Sequence, residues 1–416
     1  MTQESEKRQA CWKRWNREDD LALTPQERKR ELVRIQVLID EYGPTPEQKA
    51  DLFLEQGLLY SFGEEYAKAI ASYDKALEIK PDNHEAWNNR GHALGSKLGR
   101  LEEAIASFDK ALEIKPDLHK AWHNRGRALG NLGRWEEAIA DFDKALEFKP
   151  DLYEAWSNRG SALGILGRLE EAIADFDKAL EFKPDFHEAW FKRGIVLGIL
   201  GRLEEAIASY DKALEFKPDY HKAWYDRAIA LGKLGRLEEA IASYDKALEF
   251  KPDLHKAWFS RGLALGNLGR LEDAIASYDK ALEFKPKDLE AWNNRGIALY
   301  NLGRLEEAIA SYDKALEFKP DLHEAWNNRG NALGNLGRWE EAIASYDKAL
   351  EIKPDLHEAF YNKACCYALH SQIDQAIQNL QQAINLNPDK YREMAKTDSD
   401  FDSMRSDTRF QALIQG

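Results

Sequence analysis

Seven of the ten histidines occupy one place in a repeating pattern: His84, His119, His187, His221, His255, His323 and His357. A row of imidazoles raises the question of metal binding, which needs several imidazole or thiolate ligands converging on one point. These stand a repeat apart with no cysteine near them, so they read as helix starts at the surface. Cys365 and Cys366 are neighbours on one helical pattern, with Cys366 at a packing position, and a cysteine nucleophile needs a base held beside it. No such arrangement is legible. Three cysteines in all, the third being Cys11, do not make a disulfide framework. Paired glutamates such as Glu136-Glu137 and Glu204-Glu205 recur at helix starts, where the macrodipole favours negative charge; they are solvated pairs, not an acid and a base. Each Gly-Arg pair joins two helical patterns, whereas a phosphate-binding loop follows a strand. The expectation is a protein that is not an enzyme, with no catalytic residue, no metal and no cofactor.

The elements carrying these residues come from a repeat. Pro116, Pro150, Pro184, Pro218, Pro252, Pro286, Pro320, Pro354 and Pro388 recur every 34 residues. Pro81 precedes them by 35, because Gly95-Ser96-Lys97-Leu98-Gly99 holds one extra residue. Ten repeats follow, over about residues 50–388. In the repeat His323–Leu356, Ala325, Trp326, Leu333 and Leu336 are spaced as one helix face and the run stops at Gly337. Ala342, Ile343, Tyr346, Ala349 and Leu350 make a second helix that Pro354 ends. Asp355 is placed to cap the next helix while Glu358 reaches back. One hairpin of this kind cannot bury its apolar face alone, so neighbours must stack.

The pattern resembles the tetratricopeptide repeat family, over about four-fifths of the chain. With His323 as position 1, the family's large residue at 4, Gly at 8, Ala at 20, aromatic at 24, Ala at 27 and Pro at 32 appear as Trp326, Gly330, Ala342, Tyr346, Ala349 and Pro354. The resemblance implies an all-α fold, a right-handed α-solenoid of about ten helix-turn-helix repeats. Two departures are regular. Position 7 is Arg in eight repeats, from Arg90 to Arg329, and pairing with the equally regular Asp of the second helix (Asp143, Asp177, Asp211) is expected. Position 12 is Gly in seven repeats and Tyr at Tyr300. Glycine inside a helix costs on the order of 1 kcal/mol relative to Ala, so its repetition suggests a close approach to the backbone there.

The ends differ. Residues 1–49 read as an N-terminal helical cap or lid: a helix around Ser5–Arg17 with Trp12 and Trp15, then one opened by Thr24-Pro25-Gln26-Glu27 and running to about Glu41, with Leu32, Ile35, Leu38 and Ile39 as its apolar stripe. Residues 389–416 resemble the closing segment of bacterial arrays of this family, with Met394, Phe401, Met404, Phe410 and Leu413 covering the last apolar face. No further domain is expected there. Met1 to Trp15 is charged throughout and lacks the apolar core of a secretory signal, and no stretch has the roughly 18 apolar residues of a membrane span. A cytoplasmic location is expected.

The repeats serve as their own comparison. The second helices are nearly identical, while most variation in the middle repeats falls at positions 5, 6, 9 and 13 of the first helix. Spacing of four puts 5, 9 and 13 on one helix face, which in the resembled family lines the concave surface. Ile165, Phe191, Ile195, Ile199, Tyr225, Ile229, Phe259, Leu263 and Ile297 make that face apolar in the middle, with Asn, Ser and His on either side. Exposed apolar patches mark interaction sites, and aromatic anchors inside a polar rim are a common distribution of binding energy. Position 6 is Asn at Asn158, Asn294 and Asn328 among others, and a carboxamide both donates to and accepts from an extended peptide backbone. The ladder is interrupted by Lys192, Asp226 and Ser260. The family's clamp for acidic C-terminal tails is not matched, since Asn331 has Asn327 four residues earlier where the clamp has Lys. The reading is a scaffold or adaptor that binds a peptide or helical segment of another protein in its groove. The same binding would serve a regulatory subunit of a separately encoded enzyme. A nucleic-acid reader is disfavoured, because the net charge is 59 − 73 = −14 and only Arg127, Lys192 and Lys233 are basic at the variable positions.

Overall fold

The structure, a computed structural model, describes residues 23–96 and 98–415. Helices alternate with short turns throughout, and no strand occurs among the described residues. They fall into two compact halves, one ending at Arg202 and one beginning at Leu203. Within each half, a first helix packs on its own second helix where both belong to that half, and the second helix packs on the next first helix. The expected helix around Ser5–Arg17 lies outside the described residues.

The repeat of His255–Asn267 and Leu271–Phe284 shows why this sequence folds so. Ala257, Leu265, Ala274, Tyr278, Ala281 and Leu282 are all buried. A Cβ on Gly262 would stand 2.6 Å from Tyr278 Cε1, so glycine at position 8 makes room for the aromatic ring at position 24. Gly269 stops the first helix with φ +74°, a left-handed conformation that strains any residue with a side chain; Arg270 N–H then donates to Leu265 O at 2.9 Å and Gly269 N–H to Gly266 O at 3.0 Å, closing the helix end. Trp258 Nε1 donates to the carbonyl of Pro252 at 2.8 Å, which ties the large residue at position 4 to the proline of the preceding repeat.

The arginines of position 7 pair as expected. Arg261 Nε donates to Asp245 at 2.6 Å on the preceding second helix, and its Nη1 donates to Ser277 Oγ at 2.6 Å on its own. The guanidinium also lies 5.9 Å from the Trp258 ring centre. In two repeats Asp replaces that Ser: Asp141 accepts two bonds from Arg125, at 2.8 and 2.7 Å, and Asp175 is held by Arg159 in the same way. Burial pushes the Asp141 carboxyl up more than its arginine pulls it down.

Three expectations are corrected. Asp355 does not cap the next helix. Leu356 is the N-cap residue and makes no side-chain bond. The capping place is position 34: Asp288, shifted there by Lys287, accepts from Ala291 N–H, and Asn83 accepts from Glu85 and Ala86 N–H. The close approach expected at the position-12 glycines holds in some repeats and not in others: a Cβ on Gly130 would stand 3.2 Å from Trp135 Cζ3 and one on Gly95 3.3 Å from Ala104 Cβ, whereas nothing lies within 4 Å of one on Gly232. Met394 is exposed; Tyr391, three residues before it, and Ala395, one after, turn inward in its place on the helix Pro388–Thr397.

Both ends are packed. The helix Pro25–Glu41 opens on the expected capping box, and a second one, Thr45 with Gln48, opens the helix Pro46–Phe62. Ile35 and Ile39 are buried against Leu52, Phe53 and Leu59. At the other end Phe401, Met404 and Phe410 are buried with Tyr361, Ala364 and Leu380.

Candidate functional site

In the second half, the helices His221–Lys233 and His255–Asn267 bring Tyr225 and Phe259 to one hollow of about 490 Å³. Ser260 and Leu289 share its wall, and Lys256, Lys285 and Lys287 stand on its edge with Asp288 and Glu290. Lys285 is paired with Asp288 at 3.0 Å, and Lys287 lies 6.0 Å from the Phe318 ring centre. The two aromatics are half-buried because each leans on its own repeat's core ring: Tyr225 is 5.9 Å from Tyr244, and Phe259 5.9 Å from Tyr278, centre to centre. Ile229 is half-buried, while Leu263 and Ile297 are more than a third exposed.

In the first half, Phe191 and Ile195 are half-buried, and Ile165 and Ile199 are the most open of the set at 59% and 64%. Lys192, beside Phe191, is half-buried with no ion pair among the described residues, and burial pulls its pKa down. None of the nine apolar residues singled out in the sequence is buried in the core. A second hollow, of about 500 Å³, opens in this half with a mixed lining: Asn88, Asn124, His92, His119, His123 and Lys149 share it with Leu58, Phe62, Tyr66 and Leu152. His119 and His123, four residues apart on the helix His119–Asn131, are a pairing that reading the histidines one per repeat passed over. Burial and then the Arg127 charge push His123 down to about 4, so it is neutral, and its Nε2 lies 3.0 Å from Asn158 Nδ2.

That contact defines the position-6 amides. Asn328 donates to Asn293 at 3.2 Å, Asn124 to Asn88 at 3.3 Å and Asn158 meets His123, each on position 5 of the preceding repeat. Asn294 donates instead to its own helix, at Glu290 O, 2.8 Å away. Their amide donors are thus engaged within the chain, leaving carbonyl oxygens as the freer groups.

Two features were not singled out in the sequence. Position 30 carries Phe148, Phe182, Phe216, Phe250 and Phe284, each 41–44% exposed. Its signal was the recurrence of a large apolar residue one repeat apart, outside the buried helix stripe. Cys365, Asp398 and Asp400 place a thiol and two carboxylates within 4.8 Å of one another. A metal would need the thiolate, whereas burial and the two carboxylates push the Cys365 thiol up. The thiol lies 3.8 Å from Asp398 Oδ2, which also accepts from Tyr361 OH at 2.7 Å; the arrangement is a hydrogen-bonded cluster that holds the closing segment. No helix among the described residues is long and apolar enough to cross a membrane.

Tetratricopeptide repeat models match the chain at residues 119–152, 153–186, 225–288, 259–323 and 323–356, and with further matches cover 57–378 without a gap. Among curated proteins there is no match. Similar solved structures include YrrB, described as a TPR protein with an unusual peptide-binding site, at 26% identity and a TM-score of 0.40, covering 45% of this chain and 97% of that one. PilW, a type IV pilus biogenesis factor, is 27% identical with a TM-score of 0.46, covering 49% and 94%. Cut9-Hcn1 of the APC/C is 17% identical with a TM-score of 0.39, covering 92% and 80%.

Proposed function

The chain belongs to the tetratricopeptide repeat family, and on that premise we propose that it is a non-enzymatic scaffold binding a peptide or helical segment of another protein. The observation that carries this is the contrast along the repeats. Apolar residues at packing positions are buried, whereas Ile165, Ile199, Leu263 and Ile297 stand open and Tyr225 and Phe259 line a hollow. Leaving large apolar side chains in water is unfavourable, and covering them with a partner recovers that free energy. Covering Tyr225 and Phe259 together with Ile229, Leu263 and Ile297 contributes several kcal/mol gross, before the ordering costs of association. The helix Pro25–Glu41 acts in this reading as a cap on the array, supported by the burial of Ile35 and Ile39, and the segment after Pro388 closes the other end. A regulatory subunit of a separate enzyme would use the same face.

The test is selection of binders from a randomised dodecapeptide display library on the full chain. Peptides with aromatic or aliphatic residues should enrich. Tyr225→Ala combined with Phe259→Ala should lose them while helicity by circular dichroism stays the same. Equal enrichment on parent and double variant would remove the groove from the function.

A further inference from the structure

Asp226, on the helix His221–Lys233, is half-buried and has neither an ion pair nor a hydrogen bond among the described residues. Its place is position 6, where Asn124 and Asn328 are engaged through their amides. Neither the Tyr225 nor the Tyr244 hydroxyl makes a hydrogen bond to the carboxylate among the described residues. Lys222, one turn earlier and exposed, is the one charged group that acts to lower its pKa; burial outweighs it and pushes Asp226 up to about 6. At neutral pH the carboxylate is still mostly ionised, half withdrawn from water and without a partner. Such a charge is unfavourable in a folded chain, and groups of this kind concentrate where ligands supply the missing partner.

Resting on the groove reading above, we infer that Asp226 receives a lysine or arginine side chain of the bound segment, next to an apolar side chain that enters the hollow between Tyr225 and Phe259. Aromatic rings beside a carboxylate suit a cation: the rings attract it through their faces, and the carboxylate supplies its counter-charge. The lysines of the hollow do not take that role: Lys285 is paired with Asp288, Lys287 lies over Phe318, and Lys256 makes no ion pair with Asp226. The inference names a basic, apolar-flanked segment as the partner chemistry, the reverse in charge of an acidic tail.

The same display library separates the two readings. On the parent chain, selected peptides should carry Lys or Arg beside an aromatic or aliphatic residue several-fold more often than the input. On Asp226→Asn the apolar preference should persist and the basic preference disappear; the fold is expected to hold, because Asn stands at this position in several other repeats. One selected peptide and its Lys→Gln form then complete a double-mutant cycle. The change should weaken binding at least tenfold on the parent and less than twofold on Asp226→Asn. Apolar enrichment with no basic preference on the parent, or the same basic preference on both proteins, overturns the inference and leaves the groove standing. Absence of any enrichment on the parent overturns both.

Discussion

Replacing Asp226 by Asn should raise stability at neutral pH and leave it unchanged in acid. The carboxyl sits at about 6 in the folded chain against an ordinary 3.8, because burial disfavours its charged form. A carboxyl whose pKa is raised by folding contributes stability that is fully present below the unfolded value and lost as pH rises through the folded value. Here the window runs from about 4 to about 6. Two pKa units at about 1.36 kcal/mol each set a ceiling near 3 kcal/mol. Because the side chain keeps part of its hydration, about 1–2 kcal/mol is the reasonable share. For cooperative units of 150–250 residues, each kcal/mol moves the midpoint by about 2–4 °C. The assay is thermal unfolding of parent and variant, side by side, at pH 4 and pH 7.5. Differences are more secure than absolute values, since long arrays depart from two-state behaviour. The subtraction also removes His123, whose folded pKa of about 4 acts in the opposite sense: its stabilisation is present above the unfolded 6.5 and lost as pH falls. A variant no more stable than the parent at pH 7.5, or one equally stabilised at both pH values, would refute the reasoning.

Asp141→Ala should cost about 2 kcal/mol in urea unfolding, below the full penalty of a broken buried pair because Arg125 keeps Asp109. Asp141→Ser should come within about 1 kcal/mol of the parent, since a serine hydroxyl at this position accepts from arginine in the other repeats, as at Ser277. Gly232→Ala, placed where nothing lies within 4 Å, should stabilise by about 0.5–1 kcal/mol through helix propensity; a loss would mean that the helix is strained there. Trp258→Phe should cost about 1 kcal/mol, as the indole N–H bond to Pro252 is lost while the ring's apolar area is largely kept.

Much of the architecture was legible because it rests on short-range regularity. The 34-residue spacing of the prolines, the 3.6-residue spacing of the apolar positions and the stop at each Gly-Arg are local signals, and the helix pairs follow them. The Arg–Asp pairing was also legible, since both partners recur with the same period. The capping position was misread by one residue, because Asp at 33 and Asp or Asn at 34 look alike in a turn until the backbone shows which residue precedes the first helical bond.

By itself, then, the sequence determined the repeat, the two helices within it and the set of apolar residues left over after the core is filled. Only the tertiary structure decided what those leftover residues meet. It committed the amides of Asn124, Asn158 and Asn328 to the preceding repeat, left the space beside Gly232 empty and left Asp226 half-buried without an ion pair or hydrogen bond among the described residues. The reason is that helix formation depends on residues three or four apart in one chain segment, whereas the fate of a side chain depends on what a neighbouring repeat places opposite it.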